Sequence, residues 1–295
     1  MRFVDKCPIC SNNKFRPYLS TTDYTTTGEI FNIQECLQCS FLVTSPTPEP
    51  ADLDRYYKSA NYISHSTKST SPIDILYKAA RSFTLRWKLN LVNQQTSTTQ
   101  QRYLLDYGCG TGQFLKKCID NGWKTNGIEP AEAARQEATR ITGMPISSAI
   151  EEKHPAHYDI ITLWHVLEHI PDLNPTIDTL RHSLKKDGKL IFAVPNPNSW
   201  DANHYKNSWA AYDVPRHLWH FSKTNMALLL KKHDLRIQSY VPMKLDSFYI
   251  SLLSENYKSP AANFNFLRAL HNGLKSNLKA IKTREYSSLT YIISK

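Results

Sequence analysis

The segment Tyr103-Leu104-Leu105-Asp106-Tyr107-Gly108-Cys109-Gly110-Thr111-Gly112 constrains this chain more than any other. A short apolar run enters three alternating glycines. Phe114, Leu115, Cys118 and Ile119 then recur at helical spacing up to Gly122. Strand, glycine loop and helix make the first half of a Rossmann-type unit. Glycine lets the backbone approach a ligand where a Cβ would clash. The spacing is GxGxG, not the GxGxxG that cradles a pyrophosphate. Asp106 also sets a negative charge at the strand end, which disfavours phosphate and suits a ligand bearing a cation. Lys124-Thr125-Asn126-Gly127-Ile128-Glu129 predicts a second strand ending in an acid. A carboxylate there accepts hydrogen bonds from ribose hydroxyls; the competing reading is an acid at the N-terminus of a helix over 131–141.

The alternation continues. Pro145-Ile146-Ser147 predicts a short third strand that leaves Ser148, Ala149 and Ile150 near an adenine. Tyr158–Leu163, Lys189–Val194, Leu235–Val241 and Ser287–Ile293 predict further strands. Leu173, Ile177, Leu180 and Leu184 stripe a helix, and Ser222 is placed to cap another that runs to Lys232. The expected fold class is α/β, a Rossmann-like, mostly parallel sheet with helices on both faces.

Cys7-Pro8-Ile9-Cys10 and Cys36-Leu37-Gln38-Cys39 form two CxxC pairs with residues 11–35 between them. Each pair makes a knuckle that points two thiolates at one place, and two knuckles supply four soft ligands to a tetrahedral zinc. Gly28 offers a hairpin turn, so residues 1–45 read as a small zinc ribbon. A closed set of four ligands implies a structural ion, which stabilises a module too small to build its own core. Cys109 and Cys118 read as loop and core residues.

Pro46, Pro48 and Pro50 mark a boundary. Residues 46–100 read as a helical lid and linker carrying Tyr56, Tyr57 and Tyr62, and 101–295 as the nucleotide-binding domain with a helical insertion at about 243–284. The net charge of +10 raises the question of nucleic acid, but no run of five or more like charges occurs. Cys7 leaves no room before it for the apolar core of a secretory signal, and no stretch is apolar enough to span a membrane. A cytoplasmic protein with thiols rather than disulfides is expected.

Leu104–Leu115, the Gly127-Ile128-Glu129-Pro130 acid, Tyr158–Asp172 and the Gly188–Asn196 strand together resemble the class I S-adenosylmethionine-dependent methyltransferases over about Gln101–Val241. The ribbon followed by Tyr56-Tyr57, and the segment Val214–Ser222, resemble a bacterial subgroup related to sugar C-methyltransferases and ubiquinone-pathway O-methyltransferases. The resemblance implies a seven-stranded sheet whose last strand is inserted antiparallel. It also implies S-adenosylmethionine bound by Asp106, Gly108, Cys109, Gly110, Gly112, Phe114, Glu129, Pro130, Ala149, Ile150, Trp164 and His165. His165-Val166-Leu167-Glu168-His169 matches the HxxEH of inverted metalloproteases, but a strand runs straight into it here. Ubiquinone-pathway relatives carry an acidic ExxEH at this place, proposed to hold a divalent ion; His165 replaces its first acid.

Three functions compete. The first is methylation of a small molecule: a sugar nucleotide, a phenol or another hydroxylated metabolite. The second is RNA methylation with the ribbon gripping RNA; Leu163-Trp164-His165-Val166 lacks the tetrapeptide of base amino-methylation, and no cysteine stands at that strand end for cytosine C5 chemistry. The third is a non-catalytic cofactor-binding scaffold. The stretch from Asn196 to Phe221 reads as a long connection forming the acceptor pocket, with Tyr205, Trp209 and Arg216 joining Tyr56 and Tyr62 as acceptor contacts, or as an aromatic-packed lid. His217, then His165, then His220 are the candidate bases. Monomer and homodimer are both open.

Overall fold

The computed structural model describes residues 1–49, 52, 54–57, 72–96, 101–150, 155–260 and 264–295. An N-terminal hairpin, β1 (Phe15–Thr22) and β2 (Ile30–Cys36), turns through Gly28 at φ +72° and is followed by β3 (Leu42–Thr44). Helices α1 (Asp54–Tyr57) and α2 (Pro72–Asn93) lead to the first strand of the main sheet, β4 (Tyr103–Tyr107). Then come α3 (Gln113–Asp120), β5 (Lys124–Ile128), α4 (Glu132–Thr142), β6 (Tyr158–Trp164), α5 (Leu173–Ser183) and β7 (Leu184–Pro195). After α6 (Trp200–Tyr205), the short β8 (Trp219–His220) precedes α7 (Lys223–Lys232) and β9 (Arg236–Pro242). A hairpin of helices, α8 (Asp246–Lys258) and α9 (Asn265–Thr283), leads into β10 (Ser288–Ser294).

The main sheet has the order β5-β4-β6-β7-β10-β9. β4 pairs in parallel with β5 and β6, and β6 with β7, whereas β10 runs antiparallel to both β7 and β9. This is the α/β architecture expected, with the reversed last strand. Six strands form among the described residues rather than seven. The expected third strand is reduced to a single parallel bridge, Ile128 to Ser147; Pro145, at its start, has no N–H to give to a ladder.

The second sheet has the order β1-β2-β3-β8, so the lid contributes its fourth strand: Leu42 opposes His220 and Val43 opposes Trp219. Cys7, Phe41 and Val43 share one core with Trp219, Phe221 and Leu229. The stretch after β7 is also not the open connection expected. The Ser199 hydroxyl accepts from the Ala202 N–H (3.2 Å) and starts α6. Tyr205, Trp209 and Tyr212 then pack with Phe31, Ile33 and Tyr56 into a core of their own.

Candidate functional site

The glycine loop takes its shape from three left-handed residues: Gly108, Gly110 and Gly112, at φ +74°, +54° and +75°. A Cβ on Gly108 would lie 2.4 Å from Val166, whereas one on Gly110 meets nothing within 4 Å. The loop is thus packed tightly underneath and open at Gly110. Glu129 is held across it: Oε2 accepts from the Gly110 N–H (2.8 Å) and Oε1 from the Ala131 N–H (2.9 Å). Asp106 is buried at the end of β4 and accepts from the Thr162 hydroxyl at 2.6 Å. Burial pushes its carboxyl up to about 7, against the pull of Thr162 and of the Lys88 ammonium. A cation brought next to this group would favour its charged form.

Trp164 closes the other side. Phe114 meets it edge-on at 5.6 Å, and the Lys88 ammonium lies over its ring at 4.5 Å. Its buried indole N–H has no partner among the described residues. Cys109 is buried in the loop beneath, Pro130 follows Glu129, and Ala149 and Ile150 follow the bridge at Ser147. The carboxyl ends of β4, β5 and β6 therefore bring the expected cofactor residues together, where an open α/β sheet binds ligands. An open loop, a fixed acid and an unpartnered indole fit S-adenosylmethionine. Lys88, on α2, stands over Trp164 and was not anticipated from the sequence, because nothing in its helical context marks it.

His165 ends β6 at φ +58°, a left-handed conformation that non-glycine residues rarely adopt. It stands between two acids: Nε2 is 3.0 Å from Asp246 and Nδ1 is 3.5 Å from Glu168. Burial disfavours its charged form, but the bonds to Asp246 and Glu168 prevail and raise it to about 9. His165 is therefore an imidazolium at neutral pH, which removes it as a base. Asp246 was not anticipated; it comes from the N-terminus of α8, far along the chain.

Glu168 is fully buried, and its carboxylate is met at ion-pair distance by His165 (3.5 Å) and His217 (3.9 Å). Burial raises its affinity for a proton, but His165, His217 and His169 together hold it below the usual carboxylate range. Glu168, His169 and His217 offer one ligand atom each, all within 4.8 Å of one another. That set could take a divalent ion without the acid that His165 replaces. Tyr57, rather than its neighbour, reaches this cluster, its hydroxyl 3.4 Å from His169 Nδ1.

The three candidate bases separate cleanly. The Nδ1 of His217 lies 2.9 Å from the Ala211 carbonyl. A carbonyl only accepts, so Nδ1 donates to it, and Nε2 is the ring nitrogen that faces Glu168 and Asp213, each at 3.9 Å. His220 is a correction. It is buried, its Nε2 is 3.0 Å from the Thr44 hydroxyl, and Thr44 donates to the His217 carbonyl. Burial and His217 together lower it to about 3, so it is a neutral tie between β3 and β8.

Four acceptor contacts also change. Arg216 is buried, and all five of its N–H donors are engaged by Asp213, Asp23, Thr26 and the Tyr56 carbonyl. None remains for an acidic acceptor. Trp209 donates to Asp201 (2.8 Å), and the Tyr205 hydroxyl donates to Glu255 (3.0 Å); both are buried. Tyr56 donates to Glu29 at 2.6 Å. These residues build the lid rather than line a pocket. Tyr62 lies outside the described residues.

At the opposite end of the lid, the four N-terminal thiols converge: Cys7 to Cys39 and Cys10 to Cys36 are each 3.5 Å between sulfurs. All four sulfurs lie within 4.8 Å of one another. Thiolates on one tetrahedral zinc stand about 3.8 Å apart, as bonds of about 2.3 Å require. A disulfide needs about 2.05 Å. Ser11 and Ser40 follow the two pairs in left-handed conformation, and their N–H groups donate back to Cys7 and Cys36. The donor set and spacing fit zinc.

The comparisons agree with this geometry. The family described as "Methyltransferase domain" matches residues 79–240, more than half of the chain. The ubiquinone biosynthesis O-methyltransferase of Yersinia pestis (strain Pestoides F) is 30% identical over 38% of this chain and 51% of its own length. The chain thus spans about half the length of the curated relatives it matches. Among solved structures, a candidate sarcosine dimethylglycine methyltransferase from Galdieria sulphuraria superposes with a TM-score of 0.52 at 12% identity, over 73% of this chain and 86% of that one. The StiE O-MT structure gives 0.50 at 19% identity, over 77% and 78%. These two likenesses speak for the fold alone. With its GxGxG loop, the acid that follows β5 and its reversed last strand, the chain belongs to the methyltransferase-domain family, in its class I S-adenosylmethionine-dependent form.

Proposed function

We propose that the chain transfers a methyl group from S-adenosylmethionine to a small hydroxylated acceptor, with His217 taking the acceptor proton. The observation that carries this reading is the position of the Glu168, His169 and His217 cluster, immediately beyond the strand end that carries Trp164 and His165. When bound, the cofactor supplies a methyl already activated on a sulfonium, so the protein's task is positioning, water exclusion and proton removal. Glu129 holds ribose hydroxyls, and Asp106 faces the cationic end of the donor. His217 Nε2 accepts the hydroxyl proton; Glu168 and Asp213 stabilise the imidazolium that results. The name of the Yersinia relative, an O-methyltransferase of ubiquinone biosynthesis, supports a phenol-like acceptor. The four cysteines hold one structural zinc that keeps the β3–β8 wall in place, and a setting that keeps thiols reduced, such as the cytoplasm, suits such a site.

The test is conversion of S-adenosylmethionine to S-adenosylhomocysteine across a panel of phenols, hydroxylated metabolites and sugar nucleotides. His217→Gln should abolish turnover while cofactor affinity holds. RNA is the competing acceptor, and a high A260/A280 ratio that salt strips from the purified protein would favour it.

A further inference from the structure

Helix α9 is built inside out. Against α8 and the lid it buries Asn265, Ala269, Gly273, Ser276 and Ala280, and a Cβ on Gly273 would lie 2.6 Å from Phe248. Its large aliphatic residues point the other way. Leu267, Leu270, Leu274, Leu278 and Ile281 are 59%, 49%, 51%, 56% and 56% exposed. At about 100° per residue these five fall within about 80° of arc, one continuous stripe. Polar contacts fix this orientation: Ser276 donates to Asp201 (2.7 Å), and Asn277 donates to the Lys244 carbonyl (2.9 Å). The helix cannot roll its leucines inward without breaking them. Stripes of this kind mark an interaction surface.

Charge decides which partner. Arg268, Lys275, Lys279, Lys282 and Arg284 lie along residues 264–284, and no Asp or Glu does. On the same helical wheel the first four flank the leucine stripe on one side. A second copy of the chain would bring like charges together along the seam, with no carboxylate from either helix to offset them. An apolar stripe with cationic flanks instead matches the surface of an anionic bilayer: leucines enter the acyl boundary while Lys and Arg stems reach phosphate headgroups. No helix among the described residues is long and apolar enough to cross a membrane, so the contact is one of lying on the surface.

We propose that the exposed face of α9 docks the protein onto anionic lipid. The test is flotation of the full chain with vesicles of phosphatidylcholine alone and of an equimolar mixture with phosphatidylglycerol. The protein should float with the mixed vesicles at least about tenfold more than with the neutral ones, and high salt should release it. The variant L270Q/L274Q/L278Q should lose flotation while keeping its thermal midpoint, since the replaced side chains are exposed. K275E/K279E/K282E should lose the preference for phosphatidylglycerol. Equal flotation with both vesicle types, or unchanged flotation of the leucine variant, overturns the proposal. So does a dimer in light scattering that the leucine variant alone converts to monomer without any vesicle binding, since the face would then be a subunit contact.

Discussion

Oε2 of Glu129 lies 2.8 Å from the backbone nitrogen of Gly110, so the acid proposed to hold the ribose is fixed by the glycine loop itself. One carboxylate therefore sets the relative position of two strand ends. Glu129→Ala should weaken S-adenosylmethionine binding by about 1.5–3 kcal/mol, the usual loss for charge-assisted hydrogen bonds. Titration calorimetry gives the number; equal affinities for variant and wild type would refute the ribose assignment.

His165 and Asp246 predict a pH signature in stability. The folded imidazole is raised to about 9 from an unfolded value near 6.5. The stabilisation is then complete below about 6.5 and is lost as pH rises through about 9. Denaturant melts of wild type and Asp246→Asn should differ by about 1–3 kcal/mol at mildly acid pH and converge in strong alkali. A gap that widens with pH would contradict the charge assignment.

Breaking the Arg216 cluster should cost stability rather than acceptor affinity. Arg216→Met leaves Asp23 and Asp213 without their buried cation, and the expected loss is about 3–5 kcal/mol. A folded variant with normal melting but a raised KM for the acceptor would restore Arg216 to the pocket.

Zinc analysis of protein purified without chelator should return about one ion per chain, as four thiolates in one closed site require. Cys36→Ser should lower that ratio and the melting temperature together. Metal-free protein that melts like the wild type would remove the ion from the account.

The nucleotide-binding half of the fold was legible because its signals are local. Strand, glycine loop, helix and terminal acid each lie within a few residues of Asp106 or Glu129, and β4, β6, β9 and β10 fall within a residue or two of their expected spans, whereas β7 begins at Leu184, where the helix was expected to continue. The CxxC pairs are equally local, and their sulfurs converge. What the sequence hid is long-range. Nothing near Asp246 announces a partner at His165, and nothing in Trp219-His220 announces that these two residues complete another module's sheet. Arg216 misled for a related reason: a fork of donors looks the same before an acceptor or a buried pair, and only the fold brings Asp23 beside it. The aromatics after β7 read as pocket lining because their density is visible in sequence, while the helix and turns that turn them inward are not.

Thr44 and His220 touch although 176 residues separate them in the chain. The N-terminal sheet therefore lacks its edge strand until the chain has been made through Trp219-His220, beyond β4, β5, β6 and β7 of the larger sheet. Loop closure of that length is entropically costly and slow. The N-terminal sheet is thus completed only by a strand that follows β4, β5, β6 and β7, so its completion is tied to the part of the chain that builds the larger sheet.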